Sequence, residues 1–273
     1  MKKAAVLLIY FSIVAAAQLF ADDATTDSVK YRFNPIVVTA SKIENSQRDL
    51  PASISVINEQ QIRMAPSQSV LEIVKNHVPG VFVTERAVMG FGIAESAAGG
   101  LSIRGVGGSP VTGVLVLRDG RPDIMGIMGH PISDAYTSEG VERIEVVRGP
   151  ASFLYGTNAM GGVINIITKR MHEDGFRTSI SGGYGTFDSQ RLVISHGGNR
   201  GKFDYHVTGA LRKTDGHRDF SDYDGDFSTA HAGYQLSSST KLEFNGHFSD
   251  IHLLDPGRIN VPLAGLVGTS NTT

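Results

Sequence analysis

The stretch that decides the fold is residues 148–169, RGPASFLYGTNAMGGVINIITK, which sets four glycines and a proline between two apolar segments. A phosphate-binding loop needs a helix directly after its glycines, with free backbone N–H groups aimed at the anion. Here a β-favouring run, VINIIT, follows the glycines instead. The stretch therefore predicts tight turns and close backbone packing, for which glycine is suited because it lacks a Cβ atom. The turn residues are Gly149, Pro150, Gly156, Gly161 and Gly162.

Upstream of this stretch, residues 41–170 have the pattern of a compact α/β domain. Asn58 is expected to cap a short helix that Pro66 ends, and Ser69 with Glu72 predicts a capping box before a second helix. Asp119 and Gly120 predict a turn. Alternating or β-branched runs predict strands at 53–57, 81–83, 101–103, 111–117, 141–147 and 163–167.

After residue 170 the sequence breaks into segments of about ten residues with alternating polarity, aromatic residues near their ends and polar turns between them. This pattern favours strands of an outer-membrane barrel. A soluble β-sandwich or meander is the alternative. The predicted strands are 176–185, 191–198, 202–212, 227–236 and 241–250.

The amino terminus has the features of a secretory signal peptide, residues 1–21. Two lysines precede an apolar run that ends before Asp22 and Asp23. A membrane anchor needs about 20 apolar residues, and this run is slightly short. The sequence therefore predicts export, with a mature chain that is either soluble or spans the membrane as strands.

Composition excludes several classes of protein. The chain of 273 residues has no cysteine, nine scattered histidines and a formal net charge of −2. These features argue against a disulfide scaffold, a zinc site and a nucleic-acid binder. Asp119, Glu142 and Glu145 are candidate paired carboxylates, but nothing near them supplies a nucleophile or a metal cluster. We expect no cofactor and no enzymatic activity.

Between the signal and the domain lies a polar arm, residues 22–40, that ends in a short β-favouring segment. Such a segment can add itself to an open sheet edge of another protein. It can equally be an ordinary first strand of the following domain. The segment consists of Pro35, Ile36, Val37, Val38, Thr39 and Ala40.

Several motifs occur in order along the chain: PIVVTA (35–40), VPGVFV (78–83), LSIRG (101–105), VLVLRDGRP (114–122) and VERIEVVRGPASFLYGTNAMGGVINIITK (141–169). In this series the chain resembles the plug domain of TonB-dependent outer-membrane receptors, the gated importers of siderophores, cobalamin and similar scarce nutrients. Residues 171–273 are similar to the opening strands of the attached barrel. The similarity lies in strand length and alternating polarity more than in fixed motifs. The resemblance implies an α+β plug domain, a small mixed sheet with short helices, followed by antiparallel strands of an incomplete barrel.

The resemblance also implies roles for single residues. Residues 35–40 correspond to the TonB box, which would pair with TonB and its inner-membrane motor. Arg104 and Arg148 would lock the plug to acidic residues of the barrel wall. The alternative is that both arginines pair with Glu142 and Glu145 inside the plug.

The resemblance implies that two apical segments, residues 87–100 and 122–136, contact the cargo. Phe91 and Glu95 are positional candidates in the first segment. The second contains Met125, Met128 and His130, whose thioether and imidazole groups suit Cu(I) or a metal chelate. Ordinary gap-filling by methionine is the alternative. The partners implied are TonB, outer-membrane lipid and a small-molecule or metal-chelate cargo, without nucleic acid.

Length is the point at which the chain departs from the family. A plugged transporter barrel has about 22 strands, and at ~9–11 residues per strand the ~100 residues after Arg170 supply only a part of that wall. We therefore expect an amino-terminal part of a receptor, with transport by this chain alone doubtful. A periplasmic binding or interaction module that uses the plug without a barrel is the alternative.

Overall fold

The computed structural model describes residues 52–84, 89, 100–108, 113–125 and 130–254, together with the backbone pairing of residues 36–37 and 45–46. The predicted signal peptide lies outside the described residues, as do Phe91, Glu95 and Met128 and all but two residues of the predicted TonB box.

The elements follow one another as two short strands, an α/β domain and five long strands. In chain order they are β1 (Ile36–Val37), β2 (Asn45–Ser46), β3 (Ile54–Ile57), α1 (Glu59–Met64), α2 (Val70–His77), β4 (Val81–Val83), β5 (Leu101–Ile103), β6 (Val106–Gly108), β7 (Val114–Arg118), β8 (Arg121–Pro122), a 3₁₀ turn (Ser133–Ala135), β9 (Val141–Arg148), α3 (Ser152–Tyr155), β10 (Gly162–Thr168), β11 (Gly175–Gly185), β12 (Ser189–Arg200), β13 (Phe203–Thr214), β14 (Tyr223–Gln235) and β15 (Lys241–Leu253).

Both predicted helices form, but the capping box lies at the first of them. The Asn58 side chain accepts from the Gln61 N–H at 2.9 Å, and the Gln61 side chain accepts from the Asn58 N–H at 3.0 Å. The predicted box at Ser69 is wrong, because its side chain makes no capping hydrogen bond. Its N–H already donates to Ser67 Oγ, which leaves no donor for Glu72. In the described ranges, no helix has the length and apolar character of a membrane span.

A five-stranded mixed sheet forms the centre of the α/β domain, with strand order β3-β9-β10-β7-β8. Only the β10–β7 pair is parallel. Strand β10 is buried along its whole length because apolar side chains cover both faces of the sheet. Helix α2 and the small antiparallel sheet β4-β5-β6 contribute to the cluster on one face. This two-sided cover explains why β7 and β10 are continuous apolar runs.

The turns within residues 148–169 pack closely, as the glycines of this stretch predict. Gly149, Gly156 and Gly162 have positive φ angles of 123°, 75° and 155°. A Cβ atom on Gly162 would collide with the Val147 carbonyl oxygen of the neighbouring strand. At Gly161 a Cβ would lie 2.8 Å from the Val106 carbonyl oxygen. Pro150 is exposed within the turn that leads to α3.

The five strands after residue 170 form a single antiparallel meander, β11 to β15 in sequence order, which we call the meander. Each predicted strand is present and runs one to four residues longer than its pattern indicated. Strand β14, for example, begins at Tyr223 inside the predicted long loop. The connections are short except for residues 215–222.

The two faces of the meander differ in chemistry. The inner face, which packs on the α/β domain, carries polar and charged side chains, among them Arg191, Asp204, His206, Thr208, Arg212, Thr229 and His231. The outer face carries apolar and aromatic side chains, among them Phe176, Ile180, Ile194, Val207, Tyr234, Leu242, Phe244 and Phe248. A soluble sandwich buries its apolar face instead, so this arrangement is that of a membrane barrel wall.

This outer face generates a prediction. Phe244 is 66% exposed in β15, and Phe82 is 61% exposed in the α/β domain. Because a lysine on a lipid-facing strand costs about 2–4 kcal/mol at the bilayer midplane, we expect Phe244→Lys to lower partition into phospholipid vesicles roughly tenfold or more. The matched variant Phe82→Lys should partition like the wild type. Flotation of the refolded chain with vesicles measures both, and equal flotation of the two variants would contradict a lipid-facing meander.

Candidate functional site

The α/β domain meets the meander along residues 133–140, which we call the seam segment. The 3₁₀ turn at its start is buried. There, the phenol of Tyr223 on β14 donates a 3.0 Å hydrogen bond to the Asp134 carbonyl. Tyr223 is itself buried, so this end of the seam is shielded from solvent.

At the other end of the seam segment, Glu139 forms an ion pair with the inner face of the meander. Arg191 Nε on β12 donates to Glu139 Oε1 at 2.8 Å, and the glutamate side chain is only 4% exposed. Its second oxygen, Oε2, is buried and has no hydrogen-bond partner among the described residues. Desolvation of such a pair offsets much of its attraction, so the contact contributes more to position than to net stability.

A second arginine stands beside the first. Arg212 on β13 lies directly opposite Arg191 in the strand register. Its guanidinium donates to Gln68 Oε1 and contacts Met89 Sδ, which ties the meander to the start of α2. Like charges directly opposite one another on adjacent strands repel, and the nearby Glu139 carboxylate offsets part of that repulsion.

Gly140 allows the backbone of the seam segment to reach the meander. Its φ angle is 72°, and a Cβ atom there would lie 2.5 Å from Thr229 Oγ1 and 3.3 Å from Thr208. The Gly140 carbonyl accepts the Lys169 N–H at 2.9 Å, which joins the seam to the exit of the domain. A larger residue would therefore push the two parts of the chain apart.

A chain of ion pairs fixes the exit of the α/β domain to the meander. Lys169 pairs with Glu59 at 3.1 Å, and Arg170 pairs with Glu243 on β15 at 2.7 Å. Lys241 bridges Glu243 and Asp204 at 3.3 and 2.9 Å, and His231 Nε2 lies 2.8 Å from Asp204 Oδ2. These groups cross three strands of the inner face, so the exit is held at several points.

The second apical segment is anchored by a buried tyrosine. The Tyr136 phenol donates a short hydrogen bond to the Asp123 carbonyl, and Arg118 lies over its ring at 5.9 Å. Arg118 Nε also pairs with the Asp123 carboxylate at 2.9 Å. Burial raises the pKa of the Tyr136 phenol, so this group stays a neutral donor.

Two of the predicted cargo residues are brought together by this anchor. The Met125 N–H donates to the His130 carbonyl at 2.7 Å, so the backbones of the two residues are paired. Among the described residues, no group of three or more histidine, aspartate or glutamate side chains could hold a metal ion. The proposed metal contact of Met125 and His130 therefore stays a prediction.

Comparison with known proteins agrees with this architecture. Residues 46–163 match the family model of the TonB-dependent Receptor Plug Domain. Over these residues the chain is similar to that plug domain, and we therefore call its α/β domain the plug.

Solved structures place the plug domain and the meander in one known fold. The pyoverdine outer membrane receptor FpvA from Pseudomonas aeruginosa aligns with TM-score 0.65 at 20% identity, over 80% of this chain and 30% of the receptor. The siderophore receptor PirA from Pseudomonas aeruginosa aligns with TM-score 0.53 at 28% identity, over 74% and 36%. The ferric-catecholate import receptor Fiu from E. coli aligns with TM-score 0.59 at 23% identity, over 76% and 28%. The chain thus spans about a third of the length of these outer-membrane receptors.

The arginines expected to lock the plug contact plug residues in the described part of the chain. Arg104 donates to Ser53 Oγ at 3.0 Å, and Arg148 donates to the Pro79 carbonyl at 3.4 Å. Neither forms an ion pair with Glu142 or Glu145 within the described ranges.

The two glutamates pair with other groups of the same region. Arg143 pairs with Glu142 at 2.7 Å and with Glu145 at 2.9 Å. His172 contacts the second oxygen of Glu142 at 3.1 Å. Burial acts to raise the pKa of Glu142, but His172 and Arg143 outweigh it and hold that pKa below its usual range. Glu142 therefore stays ionised within the plug.

Sequence reasoning missed the groups that form the seam, namely Glu139, Gly140, Arg191, Arg212 and Tyr223. One signal was available, because strand alternation puts Arg191 and Arg212 on the face opposite the apolar one. Their partner could not be found that way, since Glu139 lies in an irregular segment without periodicity.

The seam glycine gives a prediction with a matched control. Gly140 and Gly120 have nearly equal positive φ angles, 72° and 77°, but a Cβ atom on Gly120 would meet nothing within 4 Å. Both alanine variants carry the same backbone cost, of order 1–2 kcal/mol. Only Gly140→Ala should also loosen the plug from the meander.

Hydrogen exchange at the Lys169 amide measures that loosening. We expect faster exchange in Gly140→Ala than in Gly120→Ala, because the Lys169 N–H donates to the Gly140 carbonyl at the seam. Equal exchange in the two variants would show that the close approach of Gly140 to Thr229 does not hold the seam together.

Proposed function

We propose that this chain belongs to a receptor that takes up a scarce, chelated nutrient of the siderophore class across the outer membrane, with energy supplied through TonB. The single observation that carries the proposal is the docking of a plug domain on the polar inner face of a sheet whose outer face is apolar. The aligned structures are receptors for pyoverdine and for other siderophores, which supports this class of cargo.

The meander is proposed to be the opening part of a barrel of about 22 strands. The plug supports this view because it leaves large apolar side chains uncovered. Phe153 is fully exposed, and Phe82 and Met160 are more than half exposed. Together with Arg104 and Arg148, these groups fit a surface that further wall strands would cover, with acidic residues facing the two arginines.

In this function the plug closes the pore, and the contacts of the seam set how strongly the plug is attached to the meander. Both ends of the seam segment and the plug exit are tied to the inner face. Opening a path for cargo requires some of these contacts to break. Several contacts would have to break together, and in this proposal TonB supplies the work for that step.

That work would enter at residues 35–40, the proposed TonB box. The described part of the box, β1, forms an antiparallel ladder with β2, in which Ile36 pairs with Ser46 and Val37 with Asn45. The segment can therefore adopt the extended conformation that pairing with a strand of TonB requires.

The chain has no native cysteine, so TonB contact can be tested by disulfide cross-linking at a single introduced site. We expect Val37→Cys to cross-link to a cysteine variant of TonB in intact cells. A second change, Ile36→Pro, should abolish the cross-link because proline removes the backbone donor and restricts the strand. Cross-linking that survives the proline would contradict edge-to-edge pairing.

Location separates the receptor from the alternative, a periplasmic module without a barrel. The receptor proposal requires removal of residues 1–21 on export and recovery of the chain with the outer membrane. Cell fractionation measures this directly. Recovery of the folded chain as a soluble periplasmic protein would overturn the proposal.

A further inference from the structure

A cavity of about 570 Å³ opens between α2 of the plug and the ends of β11, β12 and β13. Its polar lining includes Gln68 and Glu72 on the plug side, and Arg191, Arg212, Lys213 and His217 on the meander side. The cavity therefore has the seam arginines in its wall, and it lies at the end of the meander that bears the eight-residue loop 215–222.

The charges around this cavity are not balanced. Arg191 pairs with Glu139, and Lys213 lies 3.5 Å from the partly exposed Asp188. Arg212 has no carboxylate within ion-pair distance in the described part of the chain, although its guanidinium is half-buried and stands opposite Arg191. Gln68 and Met89 contact it instead, and neither carries a charge.

The carboxylate that faces these arginines is also incompletely satisfied. Glu139 uses one oxygen on Arg191, while its other oxygen is buried without a hydrogen-bond partner among the described residues. Two adjacent guanidiniums offer up to ten N–H donors in fixed planes. One carboxylate that accepts a single hydrogen bond leaves most of these donors unused. An anion with several oxygens would accept more of them.

We propose that Arg191 and Arg212 form an anion-recognition site for the cargo, in which the Glu139 carboxylate is a built-in occupant that an incoming anionic group displaces. The ligand chemistry is a chelate or organic acid with clustered carboxylate or similarly charged oxygen atoms. Both arginines lie on the inner face of the meander, so the ligand enters from the lumen side and not from the lipid.

This inference rests on the proposed function and adds a regulatory consequence to it. Arg191 holds the plug through Glu139. When an anion binds both guanidiniums, Arg191 no longer pairs with Glu139, and the glutamate loses its counter-charge at the seam. Cargo binding would thereby loosen the plug at one defined point, before any pull on the TonB box.

The test uses the purified full chain in detergent micelles and isothermal titration with citrate and with inorganic phosphate, glucose serving as the neutral probe. We expect Arg212→Gln to weaken citrate binding roughly tenfold or more, since a charge-assisted hydrogen bond is lost. Arg212→Lys, which keeps the charge but not the planar fork, should lose less. Arg200→Gln changes an exposed arginine at the far end of β12 and should bind citrate like the wild type.

The variant Glu139→Gln tests whether the ligand displaces the Glu139 carboxylate or whether this residue only supports the fold. If the glutamate competes with the ligand, its neutral variant binds citrate more tightly than the wild type. If Glu139 only supports the fold, the variant binds equally or more weakly, and the displacement is wrong. Absence of citrate and phosphate binding in both the wild type and Glu139→Gln would overturn the site itself.

The titration and the cross-linking experiment together distinguish this inference from the proposed function. A chain that cross-links to TonB through Val37→Cys but shows no anion binding overturns the anion site alone. A chain that binds citrate in the expected order of variants but never contacts TonB overturns the energised receptor and leaves the site. Far-UV circular dichroism of each variant, matching the wild type, ensures that lost binding is not lost folding.

Discussion

The inner face of the meander is polar and charged, and the rest of the structure depends on how that face is covered. Asp204, His231 and Thr208 are buried there, where unpaired polar groups are costly. An apolar sheet could be covered by almost any apolar surface, but this one needs hydrogen-bonding groups at fixed places. Asp204 and His231 pair with each other. The plug supplies partners for Tyr223, Arg191 and Glu243 through the seam segment and Arg170. The outer face, by contrast, matches lipid.

In the proposed function the plug both holds and releases, and the energetics of the seam suit that requirement. Buried ion pairs contribute little net stability after desolvation, yet they fix one geometry against others. Glu139 and Arg191 meet this description, and one Glu139 oxygen has no hydrogen-bond partner among the described residues, so the pair is not fully satisfied. Gly140 adds close contact without a side chain. These contacts place the plug accurately on the meander, and in the proposals above a charged ligand or a mechanical pull disrupts them locally.

Much of this fold could be predicted from the sequence because periodicity reports on local structure. The five strands of the meander and both longer helices were found, and the ordered motifs up to GGVINIITK indicated the plug. The capping box at Ser69 failed because the local motif does not show that Ser67 takes the same N–H. The seam could not be predicted, since Glu139 and Arg191 are 52 residues apart and meet only through the packing of two sheets.

A double-mutant cycle measures whether Glu139 and Arg191 hold the plug on the inner face. The unfolding free energies of Glu139→Ala, Arg191→Ala and the double variant are measured in urea in the same detergent. For two groups in direct contact, we predict an interaction energy of about 0.5–3 kcal/mol. Additive effects of the two changes would contradict the account, because they would show that the two side chains do not meet in the folded chain.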